Sequence, residues 1–202
     1  MMNIFSLSRQ LDRRAKRTAQ RMVQRAWQKG QNGFLSLELG LVLLVVAGAI
    51  VAGVLSYRDN LRKTSINNNT QQISSIAANL RSKYGQSNMY GSVTTALAVR
   101  SQAIPEFLRD GTNATASNSF GGAITVTPVT LTGANDSVQL VWPNVPANQC
   151  SDIVTNVQRE MRQITVGTTS VKANNGQINL TALETACEAS TAATLNFWIG
   201  RS

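Results

Sequence analysis

Between Leu39 and Leu55 runs LGLVLLVVAGAIVAGVL, seventeen residues without a charge. As a helix rising ~1.5 Å per residue it is roughly 25 Å long. Adding Phe34–Leu37 brings it close to the ~20 mostly apolar residues that cross a bilayer core. A run this long with no polar side cannot be a half-buried strand or a surface helix. It predicts one apolar helix, and the rest of the chain must build its own core. Glu38 stands at the start of the run. A carboxylate inside such a segment costs ~3 kcal/mol at the bilayer centre and marks a functional site with a partner. At the headgroup edge it is only the flank of a signal anchor.

Residues 1–33 carry Arg9, Arg13, Arg14, Lys16, Arg17, Arg21, Arg25 and Lys29 against Asp12, so +7 of the chain's +9 lies ahead of the apolar run. Positive charge before a span holds that side in the cytoplasm, which places everything after Tyr57 outside. The remaining net charge of +2 gives little support to nucleic-acid binding, which needs a basic patch in the folded part. No small-residue secretory cleavage site follows the apolar run. Histidine is absent, which excludes Ser-His hydrolase triads and His-metal sites. The carboxylates are scattered, and no phosphate loop, dinucleotide fingerprint or CxxC pair is present, so no catalytic, cofactor or metal residue is predicted. The two cysteines, Cys150 and Cys187, predict one disulfide in an exported domain; two free thiols are the alternative.

From Ser56 to Tyr84 the helix is expected to continue and turn amphipathic, with Ile66, Ile73, Ile76, Ala77, Leu80 and Tyr84 on one stripe. Asn67-Asn68-Asn69 is expected to weaken or kink it, and Gly85 to stop it. After a Gly/Ser/Thr/Asn-rich passage holding a short helix at Ser92–Gln102, strands are expected at Ala123–Thr130 and Ser137–Trp142. Pro128 marks an edge or bend. Pro143–Gln149 is expected to be a loop and Cys150–Met161 a helix. Strands follow at Gln163–Val166 and Ser170–Lys172, then a hairpin turn at Asn175-Gly176 with its return over Gln177–Leu180. Thr181 with Glu184 forms a capping box for a helix carrying Cys187. Ala193–Ile199 closes the chain as a strand interior to the sheet.

Two motifs carry a family resemblance. Gly33, an apolar Phe34, Glu38 five residues past the glycine and an apolar helix resemble the class III signal of type IV prepilins. Gly30 would put Glu38 at position eight, and cutting after Gly40 would remove it. Asn118-Ser119-Phe120-Gly121-Gly122-Ala123-Ile124 resembles the N-x-aromatic-G-G-x-hydrophobic signal of type IVb pilins of the plasmid thin-pilus kind. The resemblance implies an α+β "lollipop": a long N-terminal helix, hydrophobic then amphipathic, on an antiparallel sheet. Its parts are a leader (1–33), an assembly or transmembrane helix (34–57), the helix's amphipathic half (58–84) and a head (85–202) with a D-region bracketed by the cysteines (150–187). It implies cleavage between Gly33 and Phe34 by a prepilin peptidase, with methylation of the new amine. Other implied partners are further copies of the chain, an assembly platform with its ATPase, and the inner membrane before assembly. The product is an extracellular filament for adhesion or mating contact, and not an enzyme. Departures are the long leader, Asn32 where a basic residue is familiar, and no proline before Pro105. The rival readings are a pseudopilin, a minor pilin, or a signal-anchored periplasmic binding or enzymatic domain. Major pseudopilins usually have a carboxylate-lined calcium loop and no disulfide, so the two cysteines favour a pilus.

Overall fold

The computed structural model describes residues 4–86, 89–111 and 114–200, with side chains from Leu39 onward. Its first helix, α1, runs Ile4–Leu80. It ends in a single π-helical turn, Arg81–Gly85. The chain divides into two compact units, Met1–Asp59 and Asn60–Ser202.

In the second unit the amphipathic stripe does what its spacing predicts. Ile73, Ile76, Ala77 and Leu80 are fully buried, and Ile66 and Tyr84 nearly so. α1 passes through Asn67–Asn69 unbroken. Asn69 is fully buried, yet its Nδ2 donates to the Ser65 carbonyl at 2.8 Å and its Oδ1 accepts from Trp142 Nε1 at 3.3 Å. A buried amide with both ends bonded no longer competes with the helix backbone.

Among the described residues the sheet has five strands, β1 (Thr125–Val129), β2 (Ser137–Pro146), β3 (Gln163–Val166), β4 (Thr169–Lys172) and β5 (Ala192–Gly200). Their order is β1-β2-β5-β3-β4, and every pairing is antiparallel. Strand β5 is central, as expected, with Ala193, Leu195, Phe197 and Ile199 alternating inward. Pro128 lies in the edge strand β1, where a missing N–H costs no ladder bond.

Four local expectations are corrected. The segment from Pro143 is not a loop: β2 continues to Pro146 through an irregularity between Trp142 and Val145. There Asn144 adopts φ +62°, and the extra residue turns Val145 inward again. Helix α3 spans Ala147–Val157 rather than starting at Cys150, because Pro146 suits a position just before a helix. Strands β3 and β4 turn at Gly167, φ +57°, while Asn175-Gly176 returns only as a single Lys172–Ile178 bridge. Finally, α4 (Leu180–Glu188) is capped by Asn179, whose Oδ1 accepts from Ala182 N at 3.0 Å. Asn179 displaces the Thr181 box because asparagine is at least as good a cap. The short helix α2 is Thr95–Arg100, capped by Thr94.

Candidate assembly site

Along residues 39–55 of α1 the apolar side chains are exposed all round, from Val46 at 48% to Leu44 at 75%. This part of the helix is long and apolar enough to cross a membrane, with a mean hydropathy of 2.7 and nothing in it buried. Gly48 and Ala52, like Ala49 and Gly53, stand four apart, and such small pairs let helix backbones approach closely. The space beside Gly48 and Gly53 is open. α1 carries Gly33, Phe34 and Glu38 as helical backbone; their side chains lie outside the described residues.

The second motif is explained atom by atom. Asn118 is 5% exposed. Its Oδ1 accepts from the backbone N–H of Phe120 at 3.0 Å and of Gly122 at 2.8 Å, and its Nδ2 donates to the Pro143 carbonyl at 2.6 Å. The turn closes through Gly121 N to Asn118 O and Asn118 N to Gly122 O. Gly121 has φ +74°, a conformation that glycine adopts without penalty. A Cβ on Gly122 would stand 2.7 Å from Pro143 Cγ and 2.8 Å from its carbonyl oxygen. So Asn, Gly and Gly are each dictated: the amide clamps the turn to β2, the first glycine makes the bend, and the second allows the approach. Phe120 packs on the core from the turn.

Cys150 of α3 and Cys187 of α4 form a disulfide with Cα atoms 5.7 Å apart, an ordinary separation for such a bond. The free-thiol alternative is thereby removed. Sequence reading missed Lys172, which lies between the cysteines in the chain. This 9%-exposed lysine donates from Nζ to the carbonyls of Gln158 and Met161. This cation satisfies the Gln158 carbonyl at the C-cap of α3 and the Met161 carbonyl in the turn that follows. Burial pushes the Lys172 ammonium below its usual range. An apolar run with one lysine, as in SVKA, gives no signal of that role.

Asp136, one of the scattered carboxylates, organises a loop. Burial pulls its carboxyl upward, and this is outweighed by hydrogen bonds from Leu131 N, Thr132 Oγ1, Thr132 N and Gly133 N, which hold it well below the usual carboxylate range. Arg162 Nη1 adds an ion pair at 3.4 Å, both side chains being nearly buried. This is a structural lock beside β2; among the described residues no three metal-ligating side chains gather.

The family described as PilS N terminal matches residues 63–199. No curated protein matches the chain. Among solved structures, a type IVb pilin from Salmonella typhi is 19% identical with a TM-score of 0.47, the alignment covering 67% of this chain and 97% of that one. TcpA, a type IV pilin from the Vibrio cholerae El Tor biotype, is 16% identical with a TM-score of 0.46, covering 67% and 98%. The family match takes in the buried stripe of α1, the Asn118 turn, both cysteines and the strands of the sheet, well over half of the sequence. The chain belongs to the family described as PilS N terminal.

Proposed function

We propose that the chain is the structural subunit of a type IVb pilus, inserted in the inner membrane, cut between Gly33 and Phe34 by a prepilin peptidase and polymerised into a surface filament. The observation that carries this reading is the apolar segment of α1, exposed on every side in a single copy. Such a surface is stable in lipid before assembly and against other copies of itself afterwards, so one helix serves both states.

Cleavage creates an ammonium on Phe34, with Glu38 about 6 Å along the helix. Each charge is costly in an apolar bundle unless paired. Glu38 of one copy then accepts from the Phe34 amine of a neighbour, fixing the axial stagger, while residues 39–55 form the filament core and the disulfide-bonded head the shell. Breaking a buried pair costs ~3–5 kcal/mol, so Glu38→Ala is expected to reduce assembly by more than tenfold. Mass spectrometry of sheared filaments should give Phe34 as the first residue. A surface form still beginning at Met1 or Met2 refutes the cut, and normal assembly of Glu38→Ala at an unchanged docking rate refutes the pairing.

A further inference from the structure

The basic stretch ahead of the apolar run is more regular than its charge requires. From Leu7 to Lys29 a four-residue pattern, apolar-x-basic-x, repeats six times: Leu7 and Arg9, Leu11 and Arg13, Ala15 and Arg17, Ala19 and Arg21, Val23 and Arg25, Trp27 and Lys29. The backbone of α1 is helical throughout it, from Ile4 onward. At about 100° per residue, Ile4, Leu11, Ala15, Ala19, Met22 and Ala26 take positions within an arc of about 80°. Arg9, Arg13, Lys16, Arg17 and Arg21 take positions within an arc of about 140° on the opposite side, with Asp12 between the two. A four-residue repeat drifts by about 40° per step on such a helix, so Trp27 and Lys29 have rotated out of register and mark the end of the two-sided stretch. Holding this side in the cytoplasm needs positive charge before the span, in any arrangement. Sorting that charge onto one side is a separate property.

A helix that is basic on one side and apolar on the other suits the plane of a membrane surface, its apolar side sunk about 5–10 Å into the headgroup boundary. Three of the six residues on the apolar arc are alanines, so apolar burial alone holds such a helix weakly and charge must supply the rest. The cytoplasmic leaflet carries anionic lipid, and each basic residue near it strengthens binding about fivefold. A nucleic acid would use the basic side and leave the apolar arc without a partner. The apolar run begins at Leu39, ten residues past Lys29, and a span so close by holds the basic stretch against a bilayer at high effective concentration. Between them lies Gly30-Gln31-Asn32-Gly33. Two glycines and an asparagine in four residues make this the weakest helix-forming part of α1, where a bend costs least.

We propose that in the uncut chain residues 4–29 lie along the cytoplasmic membrane surface as an amphipathic helix bound to anionic lipid, with Gly30–Gly33 as the joint to the upright span. The bond between Gly33 and Phe34 is then held at the membrane surface, beside the part of the helix that opens most readily. The inference rests on the cleavage reading for its timing alone: docking belongs to the chain before the cut, and the cut removes the leader and its lipid contact together.

The test uses the full uncut chain, made in cells without a prepilin peptidase and reconstituted in lipid nanodiscs. It carries either Ala15→Cys, on the apolar arc, or Gln24→Cys, about 180° away. Mass analysis confirms that Cys150 and Cys187 remain bonded, and a charged, membrane-impermeant maleimide reads exposure. In discs containing phosphatidylglycerol, position 15 should label about tenfold more slowly than position 24. In discs of phosphatidylcholine alone the two rates should agree within about twofold. Equal rates in the anionic discs overturn the inference, as does an undiminished difference in the neutral ones. Protection that appears solely on adding RNA overturns it in favour of a nucleic acid. A second variant, Arg13→Gln with Arg17→Gln, should weaken docking about 25-fold and bring the two rates together, while the head melts as in the parent; an unchanged difference overturns the inference. A chain left uncut in cells that hold the peptidase, with position 15 protected in anionic discs, overturns the cleavage reading alone. Normal cutting, with both positions labelled alike in the uncut chain, overturns this inference alone.

Discussion

Replacing Asn118 with alanine removes three hydrogen bonds at once: those from Phe120 N and Gly122 N, and that to the Pro143 carbonyl. Each ordinary bond contributes about 1 kcal/mol, and a buried donor left without a partner costs ~1–3 kcal/mol. Gly122 N is buried with its acceptor, so about 3 kcal/mol of head stability should go. For a unit of this size each kcal/mol moves Tm by roughly 4 °C, giving a fall of roughly 12 °C. Gly122→Ala attacks the same clamp from the other side, because its Cβ meets Pro143 at 2.7 Å and 2.8 Å; overpacking of this kind costs ~1–3 kcal/mol. The two losses should not add. Once the Asn118 amide no longer draws the turn onto Pro143, the turn can retreat and the extra methyl fits. The assay is thermal unfolding of the detergent-solubilised chain with its disulfide intact, followed by near-ultraviolet circular dichroism of the fully buried Trp142. The expected coupling is at least ~1 kcal/mol, within the range for residues that share contacts. Losses that add to within ~0.5 kcal/mol, or an Asn118→Ala chain melting within about 3 °C of the parent, refute the clamp.

Reducing the disulfide frees a loop set by a separation of 37 residues, worth on the order of 4 kcal/mol in the chain-entropy model. A reduced head, or one carrying Cys150→Ser with Cys187→Ser, should melt more than about 10 °C lower, and an unchanged melting temperature refutes that weight. Acid stability follows from Asp136. Its folded-state carboxyl titrates below the ordinary 3.8, so its contribution is complete above that value and is lost as pH falls through the lower, folded one. Asp136→Asn should flatten the acid limb of a stability–pH curve, and an unaltered slope below pH ~4 shows that other groups carry it.

What the sequence made legible follows the range of the physics involved. The apolar span, the amphipathic stripe, the central β5 and the chain's single possible disulfide each rest on periodicity or counting, and each is visible in a string of letters. The Asn118 turn was legible as a resemblance, yet its cause lies across the fold, in a carbonyl at Pro143 twenty-five residues later. Asn69 shows the same limit more sharply. Its helix propensity argued for a break, and only the indole of Trp142, seventy-three residues away, converts it into a satisfied core residue. Lys172 and Asp136 were hidden because their partners are mainly backbone groups, which every residue possesses and no composition reveals. Where strands and helices begin was decided by backbone conformation: a positive φ at Asn144 carried β2 past its expected end, and Asn179 took the cap that Thr181 was positioned to supply. The charge-free interval from Thr64 to Leu80 differs from all of these. It was present in the sequence throughout, and the fold divides it: Ile66, Asn69, Ile73, Ile76, Ala77 and Leu80 are buried while Thr64, Asn67, Asn68, Gln71, Ser75 and Ala78 are exposed. Hydrophobic burial explains the inward positions of that interval. The exposed positions touch no core and are free of that constraint, so periodicity alone assigns them no role.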